Sequence, residues 1–121
     1  MFMNYRSVAA ELKEELLRNL GGVIEAIILY GSVARGDENR DSDIDIFVLV
    51  KNKGREVYDR ISRIRTRIDL KHSTLTSLFI MDEKEFKEYM KLGSPFLYNV
   101  LKEGVLLYGN EEFRRICKSI A

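Results

Sequence analysis

The stretch GSVARGDENRDSDIDIFV, residues 31–48, places two small residues ahead of a charged loop and then two carboxylates one residue apart. The carboxylates, Asp43 and Asp45, begin the apolar run DIDIFVLV, which predicts a buried strand over residues 43–50. Because successive side chains of a strand point to opposite faces, the two carboxylates share one face. Two carboxylates this close repel each other, and a divalent cation such as Mg²⁺ between them relieves the repulsion.

The segment before the carboxylates is suited to phosphate binding. Gly31 lets the backbone approach a ligand closely, and the Ser32 hydroxyl can donate a hydrogen bond. Backbone N–H groups at a turn that leads into a helix bind phosphate oxygens, and Arg35 can neutralise their charge. A phosphate-binding loop followed by a metal-binding strand indicates phosphoryl or nucleotidyl transfer.

The rest of the chain alternates between helical and strand patterns. Apolar residues at helical spacing predict helices over residues 8–20 and 55–70, and β-rich apolar runs predict strands over 23–30, 74–81 and 105–108. Asp82, Ser94 and Asn110 are predicted to cap three further helices. The order of these elements predicts an α/β fold with a small mixed β-sheet flanked by helices.

Composition places the chain among soluble globular proteins. Its 121 residues, 45% of them apolar, are expected to form one domain over residues 1–121. The 20 basic and 19 acidic residues nearly cancel, so nucleic acid is not an expected partner, and no apolar run is long enough for a membrane span. One cysteine, Cys117, excludes an internal disulfide, and there is no signal-peptide core, so the expected compartment is the cytoplasm.

The pattern Gly31-Ser32, ten residues, then Asp43-Ile44-Asp45 resembles the signature of the polymerase-β-like nucleotidyltransferases. The stretch LYGSVARGDENRDSDIDIFVLV and the tail EKEFKEYMKLGSPFLYNVLKEGVLLYG, residues 83–109, are similar to the minimal nucleotidyltransferases of archaea and bacteria. The resemblance implies the nucleotidyltransferase fold, with Mg²⁺ and ATP at the site. The resemblance also implies a HEPN-family partner. In some toxin–antitoxin pairs, the minimal nucleotidyltransferase transfers AMP from ATP to a tyrosine of a HEPN ribonuclease and thereby silences the ribonuclease.

The strand after the long helix departs from the family pattern. Active members usually carry a third carboxylate there, as a general base or a metal ligand, whereas TLTSLFIM, residues 74–81, contains no acid. Leu75, Ser77 and Phe79 occupy positions near those where an aspartate is expected. The nearest acid upstream is Asp69, at the predicted end of the helix, and we expect it to lie out of reach of the carboxylate pair.

Two functions fit these residues best, and a third, nucleotidyl transfer to RNA or a small molecule, is disfavoured because such enzymes usually carry an additional substrate domain. The first is a Mg²⁺-dependent nucleotidyltransferase antitoxin in which Asp43 and Asp45 hold the metal and are catalytic. Gly31 and Ser32 then bind the β- and γ-phosphates with Arg35 in support, and the acceptor hydroxyl attacks the α-phosphorus and releases pyrophosphate. The alternative is a catalytically degenerate antitoxin that keeps the fold and neutralises its partner by binding alone, as the missing carboxylate suggests.

The predicted C-terminal helices are rich in apolar residues. A short chain must bury such residues or present them, and large exposed apolar patches are unusual on monomers. Part of this surface is therefore expected to meet a partner or a second copy of the chain, as in a homo-oligomer. The residues concerned are Phe96, Leu97, Val100, Leu101, Phe113 and Ile116.

Overall fold

The computed structural model describes residues 4–120, which form a four-stranded sheet with helices on both faces. The strands lie in the order β3-β2-β1-β4; β1 is antiparallel to β2 and β4, and β2 is parallel to β3. The predicted α/β fold with a mixed sheet is confirmed. The strands are β1 (Ile24–Tyr30), β2 (Ile44–Val50), β3 (Thr76–Asp82) and β4 (Val105–Gly109). The helices are α1 (Tyr5–Leu20), α2 (Gly31–Arg35), α3 (Arg55–His72), α4 (Glu83–Lys91), α5 (Pro95–Glu103) and α6 (Glu111–Ile120).

The two faces of the sheet are covered by different helices. Along β2, Ile46 and Val48 pack with α1 and α3, whereas Phe47 and Leu49 pack with α4, α5 and α6. This alternation follows from the two-residue period of a strand. Asp45 is in phase with Phe47 and Leu49, so it lies on the face covered by the C-terminal helices.

Local capping interactions set where the later helices begin. Asp82 and Glu85 form a reciprocal capping box at the start of α4. The Ser94 hydroxyl accepts a hydrogen bond from the N–H of residue 97 at 3.3 Å, and the side-chain Oδ1 of Asn110 accepts one from the N–H of residue 113 at 2.8 Å. All three predicted caps are therefore present.

The structure corrects the expectation that the apolar residues of the C-terminal helices form a surface for a partner or a second copy. Leu97, Val100, Phe113 and Ile116 are buried against the sheet, and the other two residues of that set, Phe96 and Leu101, are partly buried against them. They form the core of this face and are not a free surface. Within residues 4–120, no helix is both long and apolar enough to cross a membrane.

Candidate active site

The two carboxylates predicted to hold a metal lie where β2 begins. Asp43 is exposed just before the strand, and Asp45 is half-buried inside it, between Tyr30 of β1 and Ser77 of β3. Burial raises the pKa of Asp45, the nearby charge of Asp43 raises it further, and the Arg35 guanidinium partly opposes this shift. The site thus concentrates negative charge that a cation would stabilise.

Gly31 is the residue against which the Asp45 side chain packs. Its φ of 74° lies in the left-handed region, which favours glycine, and a Cβ added there would overlap the Asp45 carboxylate. Glycine is therefore required both by the turn from β1 into α2 and by the space that Asp45 occupies. The sequence predicted that the backbone at Gly31 can approach a ligand closely. It did not predict that Gly31 contacts Asp45.

The short helix α2 places Ser32 and Arg35 beside the carboxylates. Ser32 is half-buried and directly follows Gly31, and α2 ends where the Gly36 N–H donates to the Ser32 carbonyl at 2.9 Å. The Arg35 Nε lies 3.1 Å from Asp37 Oδ2, and a terminal guanidinium nitrogen lies 3.8 Å from Glu103 Oε2. Exposed ion pairs of this kind contribute little, so the guanidinium can exchange these partners for a phosphate.

The third side of the site is formed by β3, which carries no carboxylate on this face. The register places Ser77 opposite Asp45 and Phe79 opposite Phe47. The Asp69 carboxylate accepts hydrogen bonds from the Thr76 N–H at 2.9 Å and from the Thr76 hydroxyl at 2.8 Å. The Thr76 side chain points to the opposite face of the sheet from Ser77, so Asp69 fixes the connection between α3 and β3 and does not face the pair.

The donor set fits a hard divalent cation. The carboxylates of Asp43 and Asp45 lie close enough for the charge of Asp43 to raise the pKa of Asp45, and they are the oxygen ligands that Mg²⁺ prefers. No group of three or more His, Cys, Asp or Glu side chains in residues 4–120 is arranged to hold a metal ion. The remaining ligands would therefore be water and the phosphate oxygens of a substrate, which is the usual arrangement for Mg²⁺ in nucleotide sites.

Comparison with known proteins decides the family. Residues 4–113 match the family model described as polymerase beta, nucleotidyltransferase. The chain belongs to this nucleotidyltransferase family. A relative from Methanocaldococcus jannaschii, MJ0604, which is provisionally named a protein adenylyltransferase, is 34% identical over 106 residues, covering 88% of this chain and all of the relative.

Solved structures share the fold of this nucleotidyltransferase. The crystal structure of a toxin–antitoxin with AMP-PNP matches with a TM-score of 0.59 and 20% identity, covering 92% of this chain and 82% of that one. The Shewanella oneidensis complex of a tri-AMPylated HEPN toxin with its MNT antitoxin matches with a TM-score of 0.54 and 16% identity, covering 98% and 83%. At these identities the likeness shows the fold.

Two residues of α1 support the site of the nucleotidyltransferase without a sequence signal. The Tyr5 hydroxyl donates to the Arg40 carbonyl at 2.9 Å, and the Arg6 guanidinium donates to the Ala34 carbonyl at 2.8 Å. These bonds tie the start of α1 to α2 and to the charged loop before the carboxylates. Sequence reasoning missed both residues, because their partners lie far along the chain and no short motif joins them.

Proposed function

We propose that this nucleotidyltransferase is the antitoxin of a HEPN-type partner and transfers AMP from Mg²⁺-bound ATP to a tyrosine of that partner. The observation that carries the proposal is the contact of Asp45 with Gly31. This contact sets the carboxylate pair directly beside the first turn of α2. A metal pair and a phosphate loop in contact are the parts that nucleotidyl transfer requires. The relative named after protein adenylylation supports the same chemistry.

Different residues of the site would bind the Mg²⁺ ion and the phosphates of ATP. Asp43 and Asp45 would hold Mg²⁺, and when bound that ion would neutralise charge on the phosphates during transfer. The backbone N–H groups of Gly31 and Ser32, with the Ser32 hydroxyl, would bind the β- and γ-phosphates. Arg35, released from its exposed ion pairs with Asp37 and Glu103, would bind the same phosphates.

The transfer step makes one bond and breaks one. The phenolic oxygen of the acceptor forms a bond to the α-phosphorus, the bond from that phosphorus to the oxygen bridging to the β-phosphate breaks, and pyrophosphate leaves. The phenolic proton passes to solvent. A phenol, with a pKa of about 10, ionises far more readily than an aliphatic hydroxyl, so it is the acceptor that least needs a protein base. This suits a site whose β3 face carries Ser77 in place of an acid.

The proposal is tested by incubating the chain with labelled ATP, Mg²⁺ and the HEPN-type protein encoded beside it. Mass spectrometry should find AMP on a tyrosine of the partner. An Asp43→Asn variant should abolish the modification, whereas Asp41→Asn, which removes an exposed loop carboxylate nearby, should not. Label on no residue of the partner would overturn the proposal.

The second candidate is neutralisation by binding alone, and one observation favours it. Ser77 lies opposite Asp45 and is exposed, so the β3 face lacks a group that could act as a base in place of the acid. In that case the partner would be silenced by a stoichiometric complex without modification. The Asp43→Asn variant would then neutralise the partner as well as the unsubstituted chain does.

A further inference from the structure

The face of β3 beside Asp45 presents an aromatic ring to solvent. Phe79 follows Ser77 on this face, and its side chain is 41% exposed. The ring is stacked on the buried Phe47, with centroids 6.4 Å apart and an interplanar angle of 16°. Phe96 of α5 supports it from a second side, at a centroid distance of 4.7 Å. The ring is thus supported by two others and keeps a free surface.

The arrangement of the strands places the Phe79 ring on the side of the site from which the acceptor would approach. Gly31 and Ser32 follow β1, Asp45 lies on β2, and Ser77 and Phe79 lie on β3, so the phosphate loop and the ring flank the carboxylate from opposite sides. In phosphoryl transfer the attacking and leaving oxygens are roughly in line. If pyrophosphate leaves on the side of the phosphate loop, the acceptor must come from the side of β3.

The surface on the β3 side, from which the acceptor would approach, is apolar. On the site face of β3, Ser77 and Phe79 carry no charge, and Leu75, just before the strand, is 70% exposed. Such a surface favours an acceptor whose hydroxyl is carried on an apolar ring. Two aromatic rings attract each other beyond the area that they bury, when offset or edge to face.

We infer that Phe79 is a specificity-determining residue that packs against the aromatic side chain of the acceptor while Ser77 leaves room for its hydroxyl beside Asp45. The inference rests on the proposed function and adds to it the surface that selects the acceptor. The contact forms with the acceptor and not with ATP. Loss of the ring should therefore change the KM for the acceptor and leave the KM for ATP as it is.

The test compares Phe79→Ala with Phe79→Tyr, which keeps the ring. The matched control is Tyr58→Ala, which removes an exposed aromatic from α3, on the other face of the sheet. Steady-state transfer to the HEPN-type protein is measured while acceptor and ATP are varied separately. We expect the acceptor KM of Phe79→Ala to rise about fivefold to tenfold. The ATP KM should stay within about twofold, and the two other variants should behave as the unsubstituted chain does.

Each other outcome is decisive. Transfer by the unsubstituted chain with an unchanged acceptor KM in Phe79→Ala overturns this inference and leaves the proposed function standing. A parallel rise in the ATP KM also overturns it, because the ring would then contact the nucleotide or support the whole site. Absence of transfer by the unsubstituted chain overturns both. Thermal melts of all variants show whether any change follows from loss of the fold.

Discussion

Two pairs of neighbouring carboxylates lie at opposite ends of the sheet. They differ in how the repulsion between their negative charges can be relieved. Asp43 and Asp45 lie where β2 begins, beside the end of β1. Glu25 lies near the start of β1, close to Glu83 at the start of α4. In each pair, one carboxyl raises the pKa of the other. The pairs differ in how far water and ions can reach them.

In the second pair Glu25 is buried, whereas Glu83 is half-buried, with its Oε1 atom 3.9 Å from Lys87 Nζ. Glu25 is only 3% exposed, and its Oε2 atom is buried without a hydrogen-bond partner. Burial, then Glu83, then Glu112 raise the pKa of Glu25 to about 8, and Lys51 opposes them only weakly. Such a pKa favours the protonated, neutral form of Glu25 at neutral pH. Asp43 is exposed and Asp45 is half-buried beside Arg35, so solvent and ions can reach this pair. The comparison teaches that the access of solvent separates the carboxylates proposed to hold a metal from a core carboxyl that favours its protonated form.

The largest effect is expected from Asp43→Asn combined with Asp45→Asn. Removing both charges should abolish Mg²⁺-dependent ATP binding and lower transfer at least about 100-fold, because the metal site is lost. The fold should persist, since the change relieves like-charge repulsion. Calorimetry with ATP, with and without Mg²⁺, measures the first effect, and a thermal melt measures the second. Unchanged nucleotide affinity would show that Asp43 and Asp45 do not hold the cation.

Gly31→Ala should disturb the same pair without changing a charge. The left-handed backbone should cost about 1–2 kcal/mol of stability, and the new Cβ should displace the Asp45 carboxylate. Gly36→Ala, which also has a positive φ but meets no neighbour, is the matched control. Both variants should be destabilised in denaturant unfolding, and only Gly31→Ala should lose metal-dependent binding of ATP. Equal binding by the two variants would contradict the contact as a determinant of the site.

Glu25→Gln should change how stability depends on pH. The folded-state pKa of Glu25, about 8, is raised above the ordinary value of 4.5, so its stabilising contribution is complete at low pH and is lost as pH rises through this window. The variant should match the unsubstituted chain near pH 4.5 and become progressively more stable than it towards pH 9. The difference should grow by no more than about 1.4 kcal/mol per pH unit.

Denaturant unfolding across this pH range measures the effect of Glu25→Gln. Glu88→Gln, which removes an exposed carboxylate of α4, serves as its control and should show no such trend. A constant difference between Glu25→Gln and the unsubstituted chain at every pH would mean that Glu25 does not hold a proton.

The smallest effect is expected from Ser77→Asp, which would place a third carboxylate opposite Asp45. Without Mg²⁺ it should lower the melting temperature slightly through like-charge repulsion, and Mg²⁺ should reverse the loss. Any rise in transfer should stay within about tenfold, below the 10²–10⁴-fold typical of a general base, because a phenolic acceptor needs little help and the longer side chain takes up part of the room beside Asp45. Ser77→Asn, of the same size without charge, should show neither effect. A gain in Ser77→Asn would attribute the change to shape alone.

The sequence by itself determined the elements, their caps and the family. Strand and helix patterns act over a few neighbouring residues, and so do caps such as Asp82 with Glu85, so they can be recognised without knowing the fold. The pattern of Gly31 and Ser32 followed by two aspartates is also a property of one stretch of chain. Errors were small where the pattern was strong, since α3 continues only to His72, two residues beyond its predicted end.

The tertiary structure alone decided which of these residues meet. The contact of Asp45 with Gly31, the position of Ser77 opposite Asp45, and the ties from Tyr5 and Arg6 all join segments that are distant in sequence. Each depends on the register between strands or on the packing of a helix against the sheet. A shift of one residue would turn every side chain of a strand to the other face. Register is fixed only when the whole sheet buries its two faces, so no local pattern could have supplied these contacts.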